Sequence, residues 1–292
     1  MKSFNQKVAV ITGGASGLGR AFADKAASLK MRLVIADVDV NALAKAEQEL
    51  KAVGAEVATL RCDVSNADDV QALADLAMAR FGGVNLLFNN AGVGSGGLVW
   101  ENTLNDWQWV LGVNLWGVIH GIRSFTPLML SAAKADPAYE GHIVSVASVA
   151  GLLNPGLMGA YNVSKHGVVA ISESLYHDLA GVQADDDQRV SASVLCPAFV
   201  ATGIANSHRN RPAELSDSAR PTKSMMDAQS MIGRAVAAGR LSPTDVAEIT
   251  FKAIAERQFY IFTHKPFMSV VKQRFNDITT LQNPSREVGM GP

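Results

Sequence analysis

Six short apolar runs, VAVIT (8–12), RLVIAD (32–37), EVATLRCD (56–63), VNLLFNN (84–90), HIVSVAS (142–148) and RVSASVLC (189–196), constrain this chain more than any other feature. They are rich in Val, Ile and Leu and scarcely alternate with polar residues, the pattern of strands buried on both faces. Segments of helical periodicity lie between them, at about 17–29, 40–52, 66–80, 105–130 and 158–181. Strand and helix in regular alternation imply a parallel sheet with right-handed crossovers and helices on both faces. In such sheets ligands bind beyond the carboxyl ends of the strands, so residues there are the first candidates for a site.

After Pro197 the alternation lapses. Residues 201–240 mix Asn, Ser, Arg and Pro with Met225, Met226 and Met231, show no clear period, and suggest a flap over the site. Regularity returns with Ser242 and Pro243, a helix to about Arg257, a strand-like FYIF (259–262) and an amphipathic piece at about 267–281. No repeat or long linker divides the chain, so all 292 residues are expected to form one domain, with a C-terminal extension at about 265–292.

Bulk properties narrow the partners. The formal net charge is −1, and the one basic cluster, His208, Arg209 and Arg211, reads as a solvated loop, so neither nucleic acid nor a membrane surface is expected. No apolar run reaches the length of a membrane span, and a strand starting at residue 7 leaves no room for a signal peptide. Cys62 and Cys196 both fall inside strand-like runs, which favours reduced core thiols and a cytoplasmic protein.

TGGASGLG (12–19) follows the first strand and opens the first helix, where backbone N–H groups and the helix dipole can hold a pyrophosphate. Its spacing, Gly13-x-x-x-Gly17-x-Gly19, departs from the usual Gly-x-Gly-x-x-Gly, and structural glycines of a tight turn would look similar. Eighteen positions on, Asp37 ends the second strand, where a carboxylate can accept from an adenosine ribose 2′-OH and repel a 2′-phosphate. Val38 and Asp39 supply no cation to receive such a phosphate, which favours NAD(H) over NADP(H); Arg20 is what keeps NADP(H) possible. Asp63, and Asn90, Ala91 and Gly92, end the third and fourth strands where adenine and ribose lie in this architecture, although each also reads as a turn residue.

In GAYNVSKHG (159–167), Tyr161 and Lys165 are four apart on one helix face. A nearby ammonium favours a phenolate and makes the phenol a usable acid or base near neutral pH. An amphipathic helix surface produces the same spacing, but here Ser148 closes the fifth strand thirteen residues earlier. Its hydroxyl can steady charge developing on a substrate oxygen. Asn114, a polar residue inside the apolar GVNLWGV, needs a partner, and a water is one candidate.

Taken in order, TGGASGLG, Asp37, Asp63, NNAG (89–92), Asn114, Ser148, YNVSK (161–165) and CPAFVAT (196–202), the chain resembles the short-chain dehydrogenase/reductase family in its single-domain branch. The resemblance implies a Rossmann-type α/β/α sandwich with a doubly wound, mainly seven-stranded parallel sheet. It implies Tyr161 as acid/base, Lys165 tuning it and binding the nicotinamide ribose, Ser148 orienting the substrate oxygen, and Asn114 holding a water in a proton relay through its helix backbone and Lys165. Gly13, Ser16, Gly17, Leu18 and Gly19 would then cradle the pyrophosphate, with Asp37, Asp63, Val64 and Asn90-Ala91-Gly92 around the adenosine. Pro197, Val200 and Thr202 would meet the nicotinamide end. The implied enzyme interconverts a secondary alcohol and a ketone and assembles as a homodimer or homotetramer through its long helices.

Val93 to Gly97, the stretch holding Leu152, Leu153, Pro155 and Met158, and the three flap methionines are expected to bound a hydrophobic substrate pocket. A catalytically idle NAD(H)-binding regulator of the same fold is the alternative; the full Asn114, Ser148, Tyr161, Lys165 set argues against it. A sugar-nucleotide epimerase is disfavoured by the lack of a substantial C-terminal domain. No Gly-x-Ser-x-Gly or His-Glu-x-x-His occurs and the six histidines are dispersed, so neither a hydrolase nor a metal site is expected.

Overall fold

The computed structural model describes residues 1–183, 188–218 and 220–285. Seven strands, β1 (Val8–Thr12), β2 (Arg32–Asp37), β3 (Val57–Arg61), β4 (Leu86–Asn89), β5 (Gly141–Val146), β6 (Val190–Cys196) and β7 (Tyr260–Phe262), form one sheet. They lie in the order β3-β2-β1-β4-β5-β6-β7. Every pairing is parallel.

The helices are α1 (Gly17–Ser28), α2 (Val40–Ala52), α3 (Ala67–Phe81), α4 (Leu104–Leu111), α5 (Gly117–Ala135), α6 (Gly159–Val182), α7 (Lys223–Ala237), α8 (Pro243–Ala255) and α9 (Phe267–Thr279). Their starts follow local chemistry. Asp39 accepts from Asn41 N and Ala42 N to cap α2, Asn66 accepts from Asp68 N to cap α3, and Ser242 with Asp245 forms a capping box on α8 ahead of Pro243.

Strands without alternation are explained by two cores. In β1 and β2, Ala9, Ile11, Leu33 and Ile35 face the core built with α1, α2 and α8, while Val8, Val10, Val34 and Ala36 face the core built with α3, α5 and α6. On the first face Phe88 of β4 stacks on Phe22 with ring centroids 4.5 Å apart and leans on Phe251 at 5.7 Å. Sheet and helices make the expected doubly wound, Rossmann-type sandwich. The order reverses between β1 and β4, which opens a crevice beyond their carboxyl ends.

Two departures from the sequence expectation bear on the site. The helix expected over 105–130 is interrupted: a π-helical turn, Gly112–Trp116, joins α4 to α5 and contains Asn114. Such an extra residue in a helix shifts side-chain register locally. The flap is also structured. Residues Gly203–Asn210 and Ala213–Leu215 are 3-10 turns, and Lys223–Ala237 is helical, with Ala228, Ile232 and Val236 on one face at four-residue spacing. The short turns before that helix, and its methionines lying off the stripe, hide the period.

Candidate active site

The crevice is a cleft of about 690 Å³. At one end lies the glycine-rich turn. Ser16 stands at the N-cap of α1 but makes no side-chain cap, so the first-turn amides face the cleft beside Gly13, Gly17 and Leu18. Gly17 has φ +55° and can adopt it at low cost as a glycine. Gly19 does not line the cleft: a Cβ there would stand 2.0 Å from the Gly13 carbonyl, so its part is to let helix and turn touch.

Side chains from three strand ends stiffen this turn. Asp37 accepts from Ala15 N at 3.1 Å and from Asp39 N at 3.1 Å, and burial pushes its carboxyl above the ordinary range. Asn90 donates from Nδ2 to Thr12 O at 2.8 Å, and the Thr12 hydroxyl accepts from Asn90 N and Ala91 N at 2.9 and 3.1 Å. Thr12 was not among the expected site residues; its place as the last residue of β1 is the signal that marks it. Asp63 turns Oδ1 to Ser65, accepting from its N and its Oγ, yet also lines the cleft next to Val64.

Midway along the cleft, Ser148, Tyr161 and Lys165 come together with Pro197, Val200 and Thr202. Ser148, extended at φ −174°, caps the short 3-10 turn Val149–Gly151 and donates to Pro197 O at 3.3 Å. Burial raises the Tyr161 phenol, and hydrogen bonding with Ser148 partly offsets that rise. Lys165 donates to Val146 O at 2.8 Å, with its ammonium 5.7 Å from the centre of the Tyr161 ring. Burial lowers it to about 8. In the protein by itself, desolvation moves both groups toward their neutral forms.

Asn114 sits beneath the cleft, not in its lining, and is fully buried. Its Oδ1 accepts from Val93 N at 2.8 Å, and its Nδ2 donates to Val93 O and Ser164 Oγ, both at 3.0 Å. The partner its amide needs is thus protein, where a water was the sequence-based candidate. A Cβ on Gly92 would lie 3.4 Å from Asn114 Oδ1 and 3.6 Å from Lys165 Nζ, so the bare Cα lets both polar groups pack close behind this turn.

Past Tyr161 the walls become apolar. Val93, Gly94, Leu153, Pro155 and Met158 line this end as expected, while Leu152 packs away from it with Val149 and Leu153 on α9. None of the three flap methionines lines the cleft, and Met226 is exposed. The wall expected of them is supplied by Ile204, Leu215, Ile232 and Val236, with Trp109 of α4 and Phe267 of α9 completing it. Phe267 joins the C-terminal extension to the site: it packs against the Val149 and Leu153 cluster, and its ring meets that of Phe199, two residues after Pro197, with centroids 6.4 Å apart. Cys62 and Cys196 are free and buried, and burial pushes each thiol up to about 12. Among the described residues no helix is long and apolar enough to cross a membrane.

A family model described as short chain dehydrogenase matches residues 7–213. The chain belongs to the short-chain dehydrogenase/reductase family. Within it, a crystal structure of a short-chain dehydrogenase/reductase from Burkholderia phymatum in complex with NAD shares 53% identity, covering 99% of this chain and 100% of that one, with a TM-score of 0.95. A CLA biosynthesis dehydrogenase/reductase of Lactiplantibacillus plantarum is 33% identical over 96% of each chain. A 1-deoxy-11-beta-hydroxypentalenate dehydrogenase of Streptomyces avermitilis is 31% identical, covering 92% of this chain and 89% of its own. This short-chain dehydrogenase/reductase therefore keeps such company along nearly its whole length, flap and C-terminal extension included.

Proposed function

We propose that the protein is an NAD(H)-dependent oxidoreductase that interconverts a secondary alcohol and a ketone on a fairly hydrophobic substrate. The observation that carries this reading is the meeting of Ser148, Tyr161 and Lys165 in one cleft, with the uncapped glycine-rich turn at one end and apolar walls at the other. The residues fit a dinucleotide: first-turn amides of α1 suit a pyrophosphate, and the Asp37 carboxylate at the end of β2 suits a ribose diol. The NAD-bound relative and the dehydrogenase relatives support the same class of chemistry.

When bound, the nicotinamide ring supplies the hydride acceptor or donor. Tyr161 gives or takes the hydroxyl proton at its phenolic oxygen, and Ser148 donates to the substrate oxygen. Lys165, anchored on Val146 O, presents positive charge beside the phenol and to the nicotinamide ribose. The side chain of Asn114 holds Val93 and, through Ser164, the start of α6, so any proton relay past Lys165 uses its main chain. Apolar walls exclude water and select the substrate by shape.

NAD(H) is favoured over NADP(H) because the Arg20 guanidinium is engaged elsewhere. It donates to Asp24 at 2.9 Å and Glu49 at 2.5 Å, while Asp39 is spent capping α2. The whole chain is read as one domain, working in the cytoplasm as a homodimer or homotetramer that uses the exposed Trp116 ahead of α5 and Val163, Tyr176 and Val182 of α6.

Replacement of Tyr161 by Phe tests the reading. Turnover on secondary alcohols or ketones should fall by about 10²–10⁴, the usual worth of a positioned acid/base, with NADH affinity measured by fluorescence titration nearly unchanged. Near-normal turnover in Tyr161→Phe would overturn the assignment.

A further inference from the structure

His208, Arg209 and Arg211 read in sequence as a solvated loop, but Arg211 is spent otherwise. Its Nε donates to Leu215 O at 2.7 Å, closing the flap turn on itself. Nη1 donates to Asp106 Oδ1 at 2.6 Å and Nη2 to Asp217 Oδ2 at 3.0 Å. The guanidinium also lies 5.3 Å from the centre of the Trp109 ring. Asp106 is buried and is the third residue of α4, where its other oxygen accepts from Thr103 N in a capping box. Asp217 in turn accepts from Thr103 Oγ1 at 2.8 Å and Asn105 Nδ2 at 3.0 Å.

One guanidinium thus joins the flap to the start of α4 and rests against an indole that lines the substrate end. Pro212 and Leu215, the flap residues on either side of the clasp, line the same end. The geometry points to Arg211 as a specificity-determining positioning residue: it locks the flap turn onto Asp106 so that Trp109, Pro212 and Leu215 form a fixed wall, selecting bulky, rigid apolar alcohols or ketones. This rests on the oxidoreductase reading above. A planar fork that reaches two carboxylates and a carbonyl from separate nitrogens while lying near the indole is not reproduced by a compact ammonium, so Lys at this position does not replace it. Other bonds hold the rest of the flap: Ser207 Oγ accepts from Gly94 N at 2.9 Å, Ser224 Oγ accepts from Leu98 N at 3.0 Å, and Glu101 accepts from Thr222 and Ser224 hydroxyls at 2.6 and 2.5 Å. None of these bonds is made by Trp109, Pro212 or Leu215, and Asp217 keeps its own bonds to Thr103 and Asn105, so loss of Arg211 should loosen the wall without freeing the whole flap.

The test compares Arg211→Gln with the pair Arg211→Gln/Asp106→Asn, which removes the stranded carboxylate charge, across isopropanol, cyclohexanol and borneol. In both variants KM for borneol should rise about tenfold relative to that for isopropanol, a usual size for losing one wall of an apolar pocket, with kcat less affected. NADH affinity should hold, and tryptic cleavage after Arg209 should quicken. An unchanged borneol-to-isopropanol ratio in both variants, or wild-type selectivity restored in the paired variant, would overturn the proposal. If the unsubstituted protein oxidises none of the panel, the oxidoreductase reading fails, and the cleavage rate after Arg209 alone decides whether Arg211 is the latch.

Discussion

The two ends of the cleft are built in different ways. At the glycine-rich end the surface is largely main chain: the first-turn amides of α1 are left without a side-chain cap, and glycines let the turn pack close to Asn90 and Ala91. Side chains there, Asp37, Asn90 and Thr12, serve largely to hold backbone. At the substrate end the walls are mostly side chains from separate segments: the loop after β4, α4, the stretch 153–158, the flap with its helix α7, and α9. A backbone-made site tolerates few changes and is shared by distant chains; a side-chain-made site can be refitted one residue at a time. Common cofactor chemistry and individual substrates follow from that contrast.

The sharpest way to break the comparison is to show that a side chain also decides the dinucleotide end. Asp37→Asn keeps an oxygen to accept from Ala15 N but removes the charge that repels a 2′-phosphate. The ratio of kcat/KM for NAD to that for NADP should fall by about a hundredfold, the scale of one lost like-charge contact in a confined site. A protein that prefers NADPH before any substitution would remove the basis of the NAD(H) assignment.

Between the ends lies the one buried cation of the centre, and here function works against stability. Lys165 falls from its ordinary 10.5 to about 8 on burial. Between those values the unfolded chain keeps a proton that the native state has released, so stability should rise with pH through that window. Below about 8 the native state carries the full cost of an unpaired buried ammonium. Cys62 and Cys196, raised by burial from 9.0 to about 12, act in the opposite sense once unfolded thiols ionise near 9. Urea melts of the wild type and Lys165→Met between about pH 7 and pH 9 separate the two effects. Relative to the variant, the wild type should gain about 1 kcal/mol over that range, and Lys165→Met should be the more stable protein at neutral pH although inactive. A constant difference across the range would mean that Lys165 titrates at its ordinary value.

Much of this was legible before any coordinates. Strands buried on two faces must be apolar throughout, so six of them stood out, and RLVIAD and VAVIT match β2 and β1 to the residue. Motif residues of the cofactor end were legible for the reason given above: backbone constraints leave Gly, Asp and Asn at set intervals. What was hidden shares one cause. The π-helical turn at Gly112–Trp116 changes hydrogen-bond register without changing composition, so Asn114 looked like a mid-helix polar residue in want of a water. Nor does any local pattern tell that Arg211 meets Asp106, 105 positions away, or that Ile232 and not Met231 turns inward. Methionine's adaptability made it a fair choice for a pocket wall, but helix phase decides which residue faces the cleft.

Phe267 gives the mildest test and the one that separates the substrate end most cleanly from the fold. It is half-buried at the start of α9, where Val271 of the same helix packs under Val149 and Leu153 and holds the extension in place. Phe267→Ala should therefore leave the helix docked while removing an aromatic face from the cleft. KM for a bulky alcohol should rise by about fivefold, at the low end of what one apolar contact contributes to discrimination, with NADH affinity and Tm close to wild type. Stronger binding of larger alcohols is the informative alternative, because it would mean that the ring blocks the cleft end instead of gripping the substrate. No change for any substrate would place the C-terminal extension outside the pocket, and the side-chain-built end would then rest on α4, the flap and the segments around Val93 and Leu153.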